Sequence, residues 1–74
     1  MNMNIEDEHK RSLIFLGRKT LIHVSRSNGL FHNGILIEVG SDFFILKDRI
    51  GGKEEFIFFT ELTKPLQPCK EIGE

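Results

Sequence analysis

The chain lacks most of what usually stabilises or arms a small protein. Among its 74 residues Cys69 is the only cysteine, so no disulfide can form within the chain. His9, His23 and His32 lie far apart in sequence, and no Cys/His cluster has metal-ligand spacing, so no metal and no cofactor is expected. No apolar run approaches the roughly 18 residues needed to cross a membrane. Residues 1–12 are polar and partly acidic, unlike a secretory signal. Positive charge is not in excess either: ten Lys and Arg stand against eleven Asp and Glu, a net charge of −1. Simple electrostatic binders of nucleic acid are basic, because their affinity comes from neutralising phosphates. No Ser/His/Asp, Cys/His or paired-carboxylate arrangement stands out. Glu54 and Glu55 are neighbours on a strand, so their carboxylates point to opposite faces. An enzyme acting on a small-molecule substrate is not expected.

What remains is a globular composition, 39% apolar and 28% charged. A chain this short is near the size at which one core becomes marginal, so it needs a tidy core or a partner subunit. There is no internal repeat, low-complexity segment or linker, and residues 1–74 read as a single domain. A lone thiol suits a reducing cytoplasm, and Cys69 itself is expected to have no role.

Residues 1–4 read as a loose start. A short amphipathic helix is predicted over residues 5–16, with Ile5, Leu13 and Leu16 on one stripe beside His9 and Ser12. Asn4 can cap it, Glu6, Asp7 and Glu8 complement its dipole, and Gly17 is placed to stop it. The stretch 18–68 reads as β. Strands are predicted at 18–27, 30–40, 43–50, 54–59 and 63–68, leaving 69–74 as a tail. Asn28-Gly29 suits a tight hairpin, Gly40-Ser41-Asp42 and Gly51-Gly52-Lys53 mark two further turns, and residues 60–62 fit one 3₁₀ turn. Gly34 inside the second strand suggests a bulge or bend, and Pro65 limits the fifth strand to edge pairing.

The run Phe56-Ile57-Phe58-Phe59 departs from the alternation expected of a half-buried strand. Two arrangements account for it. In one, Phe56 and Phe58 fill the core while the helix covers Ile57 and Phe59. In the other, the strand lies between subunits and both faces are buried.

The order of helix, four hairpin-linked strands, 3₁₀ turn and fifth strand resembles the Sm-like (LSm/Hfq-type) family. The stretch "NGILIEVGSDFFILKD" (33–48) looks like its first signature, with Gly34 as the bending glycine, Leu36 and Val39 as alternate apolar residues, and Asp48 ending the next strand. "FIFFTELTKPLQP" (56–68) looks like its second, in which strand four passes through a 3₁₀ turn into strand five. The resemblance implies a mainly β, SH3-type, five-stranded and strongly bent antiparallel barrel with an N-terminal α-helix. It also implies a homo-oligomeric ring of roughly five to seven subunits, in which strand four pairs with strand five of the next copy. Phe56, Ile57, Phe58, Phe59, Thr63 and Leu66 would then form the oligomer interface.

By family position, Ser41 and Asp42 face a central pore with Phe59 and Thr60, and RNA is the implied partner. The usual contact residues are absent, however. The offsets from Gly34 that hold an Asp, an aromatic or His, and an Asn in the family hold Gly40, Asp42 and Phe44 here. The Arg-Gly or Tyr-Lys-His run after strand four reads Phe58-Phe59-Thr60. A ring of Asp42 carboxylates would repel phosphate, whereas Arg49 and Lys53 could read phosphate on another face. Lys10 and Arg11, followed by Arg18 and Lys19, form the most basic segment and are read as either a solvated helix face or a guide for nucleic acid. The expected function is RNA binding of the RNA-chaperone type with a non-standard pocket. The alternative is a structural or protein-interaction ring without RNA.

Overall fold

A computed structural model describes residues 4–69; the first three residues of the expected loose start, and the expected tail beyond Cys69, lie outside the described residues. The order is α1 (Ile5–Arg18), β1 (Leu21–Ser25), β2 (Phe31–Val39), β3 (Phe43–Asp48), β4 (Glu54–Phe58), a 3₁₀ turn (Phe59–Glu61) and β5 (Gln67–Pro68). The strands make one antiparallel sheet in the order β4-β3-β2-β1-β5.

Asn4 caps α1 through Oδ1, which accepts the amide hydrogens of Glu6 at 2.9 Å and Asp7 at 3.2 Å. Gly17 does not stop the helix. α1 continues to Arg18, and Lys19 takes the left-handed conformation (φ 54°, ψ 41°) with its N–H on the Leu16 carbonyl. The inward face also differs from the expected stripe. Glu8 and Ser12 are buried, His9, Phe15 and Leu16 are partly so, and Leu13 is 47% exposed. Polar anchors set this rotation. Glu8 Oε1 accepts the Leu66 N–H at 2.8 Å, its other oxygen takes the Arg11 guanidinium, and His9 Nε2 donates to the Gly40 carbonyl at 3.0 Å.

Gly34 sits where β2 passes closest to β3. A Cβ built there would lie 2.2 Å from the Lys47 carbonyl oxygen, so only glycine fits. The bulge expected at this glycine lies further on, at Ile37, where the β2–β3 register steps from Leu36↔Leu46 to Glu38↔Ile45.

The chain after the 3₁₀ turn runs along the other edge of β1. Ser27 N–H bonds the Glu61 carbonyl at 2.7 Å, Thr63 N–H that of Ser25 at 3.1 Å, and Cys69 N–H that of Leu21 at 2.8 Å. The fifth strand expected over residues 63–68 is therefore interrupted. Pro65 has no N–H to give, the Leu66 N–H is turned to Glu8, and only Gln67–Pro68 remains as β5. Leu66 instead drops into the core with Ile22, Val24, Leu36, Phe44 and Leu46.

The apolar run of β4 alternates after all, opposite to the one-chain arrangement considered above. Ile57 pairs with Phe44 and faces inward with Phe59, both fully buried, whereas Phe56 and Phe58 are 49% and 43% exposed. At the end of the core, Arg26 Nε and Nη2 both donate to Glu61 Oε1, at 3.1 and 2.6 Å, and Glu61 Oε2 accepts the Phe58 N–H at 3.1 Å. The Arg26 bond first, then the Phe58 amide, holds the Glu61 carboxyl below its ordinary pKa.

Glu8→Ala leaves the Leu66 N–H without a partner and is expected to cost about 1–3 kcal/mol in denaturant unfolding. Glu8→Gln keeps a carbonyl acceptor and should lose less; equal losses would assign the effect to the Arg11 pair instead. The Glu61 bonds stabilise the fold fully above the carboxylate's ordinary value of 4.5, and that share is lost as pH falls below it. The melting temperature should therefore drop on acidification through this range, and Glu61→Gln should flatten the drop while lowering stability at pH 7.

Candidate nucleic-acid interface

The turn between β2 and β3 meets the 3₁₀ turn beneath α1. Phe59 N–H bonds the Asp42 carbonyl at 3.0 Å, Gly40 N–H that of Phe43 at 2.8 Å, and the His9 ring lies edge-on to Phe59 at 5.7 Å between centroids. Ser41, Asp42, Phe59 and Thr60 are thus brought together, with His9 added. Only Ser41, Asp42 and Thr60 are exposed, and they present hydroxyls and a carboxylate. These three side chains carry no positive charge, and Asp42 suits phosphate poorly.

Several expected contact residues are displaced from the surface. Phe59, Ile57 and Leu66 are buried in their own chain's core, so their side chains can reach neither RNA nor a second subunit. Phe56, Phe58 and Thr63 are exposed. Lys10 and Arg11 do not form one patch, because successive helical residues point about 100° apart. Lys10 faces outward, while Arg11 is turned to Glu8.

The outer face of the sheet is better equipped. The loop of Ser27, Asn28 and Gly29, with Gly29 at φ 86° and not the two-residue turn expected, sets His23 opposite Asn33. His23 Nδ1 lies 2.6 Å from Asn33 Oδ1, which as an amide oxygen only accepts, so Nδ1 carries the hydrogen. The Ser25 hydroxyl lies 3.5 Å from Nε2. Phe31, 65% exposed, places its ring 5.6 Å from the His23 ring. Beside them lies an open groove of about 600 Å³ lined by His23, Asn33, Gln67, Pro68 and Cys69. Arg49 is exposed and stands in the turn after β3, next to Asn33: its backbone N–H bonds the Asn33 carbonyl at 2.9 Å. Lys53, on the same turn, pairs with Glu55 at 3.7 Å.

A flat aromatic ring, polar groups of both senses and one cation offer stacking, base-edge hydrogen bonds and a phosphate contact. From sequence, His23 stood out only as one of three well-separated histidines. The signal was present only in part: alternation puts His23 and Ser25 on one face, but a two-residue Asn28-Gly29 turn would set Gly34 opposite His23, and only the three-residue loop 27–29 brings Asn33 there.

Among the described residues no group of three or more His, Cys, Asp and Glu is placed to hold a metal ion, and no helix is long and apolar enough to cross a membrane. No family model and no curated protein matches the chain. Among solved structures it is similar to the crystal structure of the pleiotropic translational regulator Hfq, at 24% identity and a TM-score of 0.67, over 82% of this chain and 95% of that one. A helix followed by five antiparallel strands in one sheet is the Sm-like, Hfq-type fold, and this chain has it.

Proposed function

We propose that this Sm-like chain is a non-enzymatic, cytoplasmic RNA-binding protein that assembles into a homo-oligomeric ring and holds single-stranded RNA on the outer face of its sheet. The observation that carries the RNA reading is the exposed Phe31 ring beside a His23 oriented by Asn33, with Arg49 anchored to the same strand. Bases stack on such a ring whatever their sequence, and the imidazole and amide read their polar edges.

The two edge strands support the ring. Phe59 N–H faces β3, so by alternation the backbone groups of Phe56 point away from it. Cys69 N–H faces β1, so the Pro68 carbonyl points outward, and proline adds no donor there. A donor at Phe56 and an acceptor at Pro68 suit pairing of β4 with β5 of a neighbouring copy. The exposed Phe56 and Phe58 rings, 5.1 Å apart, give that edge an apolar face to bury. A second reading, a ring that binds protein and not RNA, is favoured by the exposed Asp42 at the turn and by the net charge of −1.

Phe31→Ala should weaken binding of short single-stranded RNA by about 1–3 kcal/mol, roughly five- to 150-fold, measured by fluorescence anisotropy. Arg49→Ala should reduce the salt dependence by about one phosphate contact. Absence of any RNA binding at low salt would leave the second reading. Loss caused by Lys10→Ala with Arg11→Ala, but not by Phe31→Ala, would move the site to the helix. For the ring, Phe56→Asp and Phe58→Asp should give monomer mass in native mass spectrometry, and an unchanged assembly for both would contradict the edge pairing.

A further inference from the structure

The outer side of α1 is unlike an ordinary solvated helix face. Leu13 and Ile14 are 47% and 53% exposed, and they share one stripe with Lys10, Gly17 and Arg18 at the spacing i, i+3, i+4, i+7, i+8. The same stripe begins, one turn earlier, with the exposed acids Glu6 and Asp7. Its charge is therefore ordered along the axis: acidic at the start, aliphatic in the middle, basic at the end with Lys19 beyond. Glu8 and Arg11 pair with each other, but among the described residues none of Glu6, Asp7, Lys10, Arg18 and Lys19 has an ion pair.

Such a stripe is complementary to a copy of itself running the other way. We propose that α1 packs antiparallel against α1 of a second copy across a two-fold axis. With the axis level with Ser12, Glu6 of one copy stands opposite Arg18 of the other, and Lys10 lays its aliphatic stem along Ile14. The two Leu13 side chains meet near the axis, about 3 Å apart in height at 1.5 Å per residue. Gly17 then faces Asp7. A Cβ built at Gly17 meets nothing within 4 Å in its own chain, so a second helix can approach closely there.

An anionic membrane or an RNA strand would meet the basic end but be repelled by Glu6 and Asp7, and neither uses an aliphatic centre flanked by both signs of charge. A second copy satisfies all three zones. One helix pair is a small contact, below the area of a stable dimer. In a ring every α1 lies on the same side, so many weak pairs add and join two rings face to face. That doubling rests on the ring reading above, whereas the helix pairing itself does not.

The test is native mass of the full chain in low and high salt. The wild type should show twice the ring mass in low salt, and Ile14→Asp should halve it without changing the melting temperature. Arg18→Glu should also halve it, and adding Glu6→Arg should restore the double mass by re-pairing the reversed charges. In Phe58→Asp, with the ring broken, the helix contact should leave a concentration-dependent dimer that Ile14→Asp removes. A wild type of the same mass as Ile14→Asp, or a charge-reversal pair that fails to recover, overturns the helix contact. A single ring in the wild type and in every helix variant would do so while leaving the ring itself intact.

Discussion

The carboxylate of Glu8 is the group through which the two ends of the described chain are joined. It is 2% exposed, and it accepts the Leu66 amide with one oxygen and the Arg11 guanidinium with the other. A buried carboxylate is tolerated only when its acceptor sites are filled, so these bonds fix both the helix and the segment it touches. They draw Leu66 off the β1 ladder into the core and confine β5 to two residues. They also set the rotation of α1, which turns Phe15 and Leu16 inward and leaves Leu13 and Ile14 outside. The edge strand and the outer helix face are both consequences of one polar contact across the fold.

The sheet divides the work between its faces. The inner face, with Phe44, Leu46, Ile57 and Phe59, makes the core that a small chain needs. The outer face is apolar on the β3–β4 side, where Phe43 and Phe56 stack at 4.6 Å, and polar on the β1–β2 side, where His23 and Asn33 bond. Charge follows the same division. The Arg26–Glu61 pair is used up in closing the core's end, while Arg49 and the cations of α1 remain at the surface. A net charge near zero thus coexists with local cationic points.

Much of the architecture was legible in the sequence because it rests on local rules. The Asn4 cap, the acidic first turn and the order of elements follow from propensity and alternation, and a hairpin does form at Asn28-Gly29, though with a three-residue loop that shifts its register by one. The helix end was not: Gly17 reads as a stop, but Lys19 accepts a strained conformation because the chain must turn at that point into β1. The bulge at Ile37 and the break in the fifth strand were also hidden, since each depends on what the strand meets across the sheet.

The sequence by itself determined that this would be a small, cysteine-poor β domain with a leading helix, since periods of 2.0 and 3.6 and turn residues are properties of short stretches. Only the tertiary structure decided which side of each element faces out. Phe56 and Phe58 of β4, not Ile57, are available at the surface because Ile57 pairs with Phe44, whose side of β3 faces the core. His23 joins Phe31, Asn33 and Arg49 because two strands and a distant turn converge there. A contact between residues far apart in the chain depends on register and rotation, and long-range bonds such as Glu8 to Leu66 set both.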